Sequence, residues 1–304
     1  MGTKRDWRKS AIAAEAYAAL ASGLPASTVW SLLLDIAEQR AAGRRPAQLL
    51  QQWQTDRFVQ PSCIDQRTLL QLDEHLFAAA PEFEALELSP LAPLGSSSVV
   101  ALTGQNRVVS TMRGTEVVSD PTNVMALESA RRLRADPGRV VKLATSHRCV
   151  RAQEVPKRSG FAAHFRIFCL TTAGHERKDQ ALVTDALLEH IRVHLRALDR
   201  LEQNGYSFAD RRIRLLARED KQHLAERIAG QIEDPAVSIE RLEHGYYDGL
   251  RFMIDAGSRE GGPIPLVDGG AFNWLHALAA NRKLVLVASA IGSQLAAHLY
   301  RRGR

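Results

Sequence analysis

Arg151, Gln153, His164 and Phe168 are the residues whose types and spacing could do chemistry together. A turn-rich basic loop with Pro156, Lys157, Arg158, Ser159 and Gly160 separates them, and β-prone runs over 140–151 and 164–172 flank it. That pattern predicts a long antiparallel hairpin. Side chains alternate along a strand, so His147, Cys149, Arg151 and Gln153 share one face, and His164, Arg166 and Phe168 share a face of the return strand. If the two faces coincide, a guanidinium, an amide, an imidazole and an aromatic ring stand together. Such a set suits an anionic, planar ligand such as a nucleotide, with Arg on phosphate oxygens and Phe stacking. Alternation alone equally describes an edge hairpin whose polar face meets water.

A second stretch, 245–255, holds Tyr246, Tyr247, Gly249, Arg251, Phe252 and Asp255. Read as a strand, it puts Tyr247, Arg251 and Asp255 on one face, with Gly249 leaving room between them. A strand over 263–267 and a turn at Asp268-Gly269-Gly270 follow. Asp120 before Pro121 is an N-cap followed by N1, predicting a helix through Arg134. Its free N–H groups could meet a carboxylate or phosphate; a plain capped helix is the competing reading. His190 and His194 have the i, i+4 spacing of a zinc pair, but Ile191 stands where a zinc protease needs Glu. They read as solvent-facing or boundary residues, and no metal is expected.

The positioning elements divide at Pro81. Residues 1–80 read as four helices, with Asp6, Ser27, Pro46 and Asp65 as starts and Gly23, Gly43 and Pro81 as stops. Trp7, Trp30 and Trp53 are expected to pack this unit, giving a helical unit over 1–82 and a second domain over 83–304. Short strands are expected at 83–88, 108–110, 116–119, 213–217 and 284–289. Helices are expected over 178–203, with Leu188, Ile191, Leu195 and Leu198 on one stripe, over 220–230 and over 293–300. The fold class is α+β, an antiparallel sheet flanked by helices and preceded by a small all-helical unit.

With 45% hydrophobic and 24% charged residues the composition is that of a globular protein. Forty Lys+Arg against 34 Asp+Glu permits a polyanionic partner without requiring one. The basic turn over 40–45 and the terminal Arg301-Arg302-Gly303-Arg304 read as solvated, so nucleic acid is not an expected partner. Cys63, Cys149 and Cys169 have no metal-type spacing and fit reduced thiols. With no apolar run of about 18 residues and no signal-peptide pattern, a cytoplasmic protein without membrane contact is expected.

Arg151-x-Gln153, a basic loop, then His164-x-x-x-Phe168 resembles motif 2 of the class II aminoacyl-tRNA synthetases, Arg-x-Glu, loop, His/Arg-x-x-x-Phe. The order of hairpin, long helix, Tyr-Tyr stretch, Gly-Gly turn, apolar strand and Gly-initiated helix is similar to the catalytic domain of histidyl-tRNA synthetase. It is similar also to that of its paralogue, the regulatory subunit of ATP phosphoribosyltransferase. The resemblance spans about 83–300 and implies that Arg151 holds the α-phosphate of ATP, accompanied by Mg²⁺, and that Phe168 stacks on adenine. Gln153 stands where Glu would read the adenine edge, and His164 takes the His/Arg position. Tyr246-Tyr247 resembles the tyrosines of the amino-acid pocket, to which Tyr247 and Arg251 are assigned. Thr122 takes the position of the acidic residue that holds the substrate amine, with Asp120 close by. Leu88-Ser89-Pro90 resembles motif 1 and implies a homodimer.

The third motif departs from that pattern. Leu295 takes the position of the Arg that grips the γ-phosphate, and losing one charge-assisted contact costs on the order of 1.5–3 kcal/mol. Glu243-His244-Gly245 replaces Arg-Gly-Leu-Asp before the tyrosines, and no anticodon-binding domain follows, so a complete tRNA synthetase is not expected. Two functions remain open. One is a regulatory protein that binds a nucleotide or amino acid and works through a partner protein. The other is an ATP-dependent enzyme that forms an acyl-adenylate and transfers it to an acceptor other than tRNA.

Overall fold

A computed structural model describes residues 11–154, 160–258 and 261–302. Pro156, Lys157, Arg158 and Ser159 of the hairpin loop, and Trp7, lie outside the described residues. The chain divides into two units. The first runs to Gln60 and takes in Ser110–Thr115; the second comprises Pro61–Val109 and Glu116–Arg304.

The first unit contains α1 (Ala11–Ala18), α2 (Ala26–Ala42) and α3 (Pro46–Thr55). Gly43 ends α2, and Pro46 opens α3 at a position where its missing N–H costs nothing. Neither α2 nor α3 has a buried residue, and Trp53 is 50% exposed, so the expected tryptophan core is not what holds these helices. The turn over 111–115 belongs here as well. The Thr111 N–H donates to the Thr115 carbonyl at 2.8 Å and their hydroxyls pair at 2.6 Å, and Gly114, at φ +68°, lets the backbone lie against Trp30, whose Nε1 would stand 3.3 Å from an added Cβ.

The second unit opens with α4 (Gln66–Ala78), capped by Asp65, whose carboxylate accepts from the N–H groups of Arg67 and Thr68. Its Leu69, Leu72 and Leu76 are buried in this unit's core. The unit boundary therefore falls at Gln60 and Pro61, a helix earlier than the texture change at Pro81 implies. The elements that follow are β1 (Glu84–Ala85), β2 (Leu91–Pro93), β3 (Thr115–Val117), α5 (Pro121–Ala135), β4 (Val141–Val150), β5 (His164–His175), α6 (Ala181–Gln203) and β6 (Ala209–Ala217). After them come α7 (Gln222–Ala229), β7 (Val237–Arg241), β8 (Leu250–Ser258), β9 (Gly261–Phe272), α8 (Trp274–Leu278), β10 (Leu284–Ile291) and α9 (Ser293–Leu299).

Eight strands form one sheet in the order β1-β4-β5-β10-β9-β8-β6-β7. The six from β4 to β6 pair antiparallel throughout, and the short edge strands β1 and β7 add in parallel. An antiparallel sheet with helices on its faces is the fold class expected from the sequence. Alternation sends odd and even residues to opposite faces. One face, carrying Phe168, Leu170, Phe252, Ile254, Val287 and Ile291, is sealed by α4, α6, α7 and α9. The other carries Leu143, Ile167, Cys169 and Leu286, and α5 and α8 cover it only in part. The remainder of that second face is an open groove.

Candidate functional site

The hairpin β4–β5 supplies one wall of the groove, and its register decides which residues reach it. Val150 pairs with His164, Cys149 with Phe165, Arg148 with Arg166 and Ser146 with Phe168. Paired residues point to the same side of a sheet. Cys149, Phe165 and Ile167 therefore belong to the groove side, and Arg148, His164, Arg166 and Phe168 belong to the sealed side. The two faces expected to coincide are opposite faces.

Phe168 is fully buried and meets Phe77 edge to face, with ring centroids 5.1 Å apart, so it cannot stack on a ligand. His164 faces the same interior, its Nδ1 3.0 Å from Nη1 of Arg148, which also donates to Gln294 at 3.2 Å. Phe165 takes the aromatic role in their place. The Arg151 guanidinium lies 5.0 Å from its ring centroid, within the range of a cation–π contact.

Arg151 is held from several directions. Its N–H donates to the Ala163 carbonyl at 2.8 Å, and its Nε donates to the Ser119 carbonyl at 3.1 Å. Its terminal nitrogen is 3.6 Å from Asp120 Oδ2. Ser119 is itself fixed, with its hydroxyl 2.8 Å from that of Ser97. The Ser97 N–H donates to the buried carboxylate of Glu116. Asp120 caps α5 as expected: Oδ1 accepts from the N–H of Thr122 at 3.0 Å and its hydroxyl at 2.7 Å, leaving Oδ2 turned toward Arg151.

The opposite wall comes from β8, β9 and the turn before them. The run 245–249 is a turn, with Gly249 at φ +81°, and β8 begins only at Leu250. Asp268-Gly269-Gly270, expected as a turn, lies inside β9. The two glycines serve opposite faces. A Cβ on Gly269 would stand 2.4 Å from Ser289 Cβ and 2.7 Å from Phe252, and one on Gly270 would stand 2.4 Å from the Tyr247 ring. Tyr247 thus lies flat on the bare backbone of β9. Its hydroxyl donates to Asp268 Oδ1 at 2.8 Å. Arg251 clamps the same carboxylate through Nε at 2.9 Å and Nη2 at 2.8 Å, and stacks 5.1 Å from the Tyr247 ring. Burial and the neighbouring Asp268 push the Tyr247 hydroxyl well above the ordinary phenol range, so it is a donor at any physiological pH. Asp255, placed beside these residues by the sequence, is instead buried further along β8 between Arg212 and Arg214.

These walls enclose two connected chambers that share Arg151, Phe165, Ile167, Leu266 and Gly292. The inner chamber, about 320 Å³, is lined by Asp120, Thr122, Tyr246, Tyr247 and Asp268 above an apolar floor of Phe272, Ala288 and Ala290. The outer chamber, about 250 Å³, adds Gln153, Glu154, Phe161, Pro265 and Leu295. Of the eight residues assigned from sequence, Arg151, Asp120, Thr122 and Tyr247 line the inner chamber. Gln153 joins Arg151 in the outer one. Arg251 stands behind Asp268 and acts through it, and His164 and Phe168 face away. Phe165 and Asp268 are lining residues that sequence reasoning missed, whereas Tyr246, singled out with Tyr247 by the resemblance, does line the inner chamber. The spacing from Arg151 fits Phe165 once the strand pairing is known, but no residue type distinguishes it from Phe168 beforehand.

His190 and His194 are not at a boundary but fully buried beneath the same strands. His190 joins Thr172 at 3.0 Å to Ser289 at 2.9 Å, and His194 reaches Ser289 at 2.8 Å. Burial holds His190 well below its usual pKa and lowers His194 to about 3, so both are neutral. Among the described residues no group of three His, Cys, Asp or Glu side chains is placed to hold a metal ion. Nor, among them, is any helix long and apolar enough to cross a membrane.

No known family's sequence profile matches the chain, and no curated protein matches it by sequence. Solved structures do match. An ATP phosphoribosyltransferase regulatory subunit/histidyl-tRNA synthetase from Bacillus halodurans C superposes at a TM-score of 0.58 and 13% identity, over 79% of this chain and 81% of that one. A histidine–tRNA ligase subunit from Alicyclobacillus acidocaldarius gives 0.58 and 12%, over 79% of this chain and 95% of that one. Histidyl-tRNA synthetase of S. aureus gives 0.52 and 12%, over 76% of this chain, which spans 64% of that enzyme. At this identity the likeness establishes the fold, that of a class II tRNA synthetase catalytic domain.

Proposed function

We propose that this chain is a regulatory, ligand-binding relative of the class II synthetases that takes an amino-acid-like or nucleotide ligand in the groove and does not aminoacylate tRNA. The observation that carries this reading is the outer chamber. Leu295 lines this chamber beside Gly160 and Gly292, at the position where the resemblance expects a second guanidinium. Among the described residues Arg151 is then the guanidinium that faces the groove, and it already leans on Asp120, the Ser119 carbonyl and the Phe165 ring. One partly committed guanidinium does not neutralise a triphosphate.

The inner chamber supports the ligand half of the reading. Asp120 Oδ2 and the Tyr247–Asp268 pair face a half-open, half-apolar space of about 320 Å³, the size of a small-molecule site. An ammonium group suits Asp120, and Thr122 lies beside it. The family name of the Bacillus halodurans protein, a regulatory subunit, supports an output through a partner protein. The segment at Leu88-Ser89-Pro90 supports a homodimer.

The retained pairing of Arg151 with an aromatic ring favours the second reading, an adenylate-forming enzyme that acylates an acceptor other than tRNA. Calorimetric titration with each amino acid, AMP and ATP, with and without Mg²⁺, together with pyrophosphate exchange, separates the two. The regulatory reading expects saturable binding of an amino acid or nucleotide with no exchange. Amino-acid-dependent exchange would establish the enzyme, and no binding of any of these ligands would remove both.

A further inference from the structure

A cleft of about 710 Å³ lies on the side of the sheet opposite the groove, between α6 and the ends of β4 and β5 farthest from the hairpin loop. Val140, Leu182 and Val193 give it an apolar part, and Thr172 lines it beside Lys142. Its rim is charged. Among the described residues the lining holds four cations and three carboxylates, and each carboxylate is already taken. Glu189 accepts from Lys142, Asp185 from Arg177 and Glu82 from Arg196. Arg192 is the remainder. Among the described residues it has no carboxylate partner, and its Nη2 makes only a long bond to the Gln231 carbonyl at 3.4 Å. Arg196 stands one turn further along α6, and like charges four apart on a helix repel. An anion between them would relieve that repulsion.

The cleft is connected to the groove through the sheet. Thr172 Oγ1 is 3.0 Å from His190 Nε2, and His190 Nδ1 is 2.9 Å from Ser289 Oγ. Ser289 in turn borders the inner chamber. A neutral imidazole carries its proton on one nitrogen only, so two arrangements satisfy these bonds. With the proton on Nδ1, His190 donates to Ser289 and accepts the hydrogen of Thr172. With it on Nε2, His190 donates to Thr172, whose own hydrogen is released to serve an acceptor in the cleft. Ser289 reverses its hydroxyl to match, because it also pairs with His194 Nε2 at 2.8 Å. We propose that this cleft is a second ligand site, for a small organic anion that lays its charged group on Arg192, its apolar part on Val140 and Leu182 and a further oxygen against Thr172, and that its occupancy sets the tautomer of His190. Whatever the groove binds, the ligand of the cleft is then felt at Ser289, beneath the inner chamber.

A carboxylate and a phosphate monoester share this chemistry, and the test separates them. Binding to the full chain is measured by calorimetry for hexanoate, 6-hydroxyhexanoate and 6-hydroxyhexyl phosphate, and the imidazole nitrogens of His190 are followed by NMR. The expected result is that a hydroxyl-bearing probe saturates the chain at about millimolar concentration or below, and that Arg192→Gln weakens it about tenfold. Tighter binding of the phosphate assigns a phosphate monoester, and tighter binding of 6-hydroxyhexanoate assigns a carboxylic acid. Saturation should move the His190 signals from the Nδ1–H to the Nε2–H pattern. In Thr172→Val the probe should still bind while those signals stay where they are. Failure of every probe to bind, or binding indifferent to Arg192→Gln, overturns the site. Saturation that leaves the His190 signals of the unmodified chain unmoved overturns its link to the groove.

Discussion

The two faces of one hairpin carry similar residues to opposite ends. On the sealed face Ser146, Arg148, His164, Arg166 and Phe168 make a set that looks functional by type. Yet Arg166 donates to the hydroxyl of Ser146 and pairs with Asp73, and Phe168 packs on Phe77. On the groove face Arg151 and Phe165 meet each other and the space between β4–β5 and β8–β9. The difference is made by pairing register, not by composition. A polar residue under a helix is spent on satisfying its neighbours, because an unpartnered buried group costs about 1–3 kcal/mol. The same residue over the groove keeps a direction in which to act.

The sharpest way to break this comparison is to truncate the two phenylalanines. Phe168→Ala should lower stability by about 3–5 kcal/mol, since it empties a fully buried site. Phe165→Ala should cost far less in a denaturant melt and should instead weaken ligand binding. Equal loss of stability in both variants would mean that the groove face is core.

Acid should act most strongly on the sealed face, although His147, buried on the other face, is also held below its ordinary pKa. His190 and His194 have folded pKa values below the unfolded value of about 6.5, so the unfolded chain takes up protons first as the pH falls. Stability is full above that value and should decline below it by roughly 1.4 kcal/mol per pH unit for each histidine. Urea melts between pH 7.5 and 5 should show the decline, and a double His190→Asn, His194→Asn variant should flatten it.

Asp73→Asn strips the counter-charge from Arg166 and should cost roughly 2–3 kcal/mol with no direct effect on ligand affinity. Asp268→Asn makes the smallest change in stability, about 1 kcal/mol or less, because its side chain is 43% exposed. It should nonetheless weaken ligand binding by loosening both Tyr247 and Arg251, which isothermal titration would show.

Much of the fold was legible in the residues themselves. Asp120-Pro121 marked a helix start with its cap, the leucine stripe marked α6, and the six central strands left β-prone runs in the right order. Arg151, Asp120 and Tyr247 were legible as residues that line the groove because each sits at an element end or turn that the local sequence specifies. What failed depended on long-range pairing. Phe168 and Phe165 are three apart, and nothing local sets which of them faces Arg151. Asp268-Gly269-Gly270 read as a turn because glycine pairs are turn formers, whereas here each glycine makes room for a side chain on one face of a strand. The turn over 111–115 belongs with the N-terminal helices through Trp30, a contact across some 80 residues that no window along the chain could reveal.

Those two glycines have a mechanical consequence. At Gly269 and Gly270 the partition between Tyr247 and the Ser289 side chain is main chain alone, with no methyl group to yield on either side. The groove floor is therefore as stiff as the hydrogen-bonded ladder of β8, β9 and β10 that carries it. A ligand settling on Tyr247 presses on a wall whose far surface touches Phe252 and the serine that both buried histidines hold. The path from the groove to α6 thus runs through main chain and the Ser289 hydrogen bonds to His190 and His194.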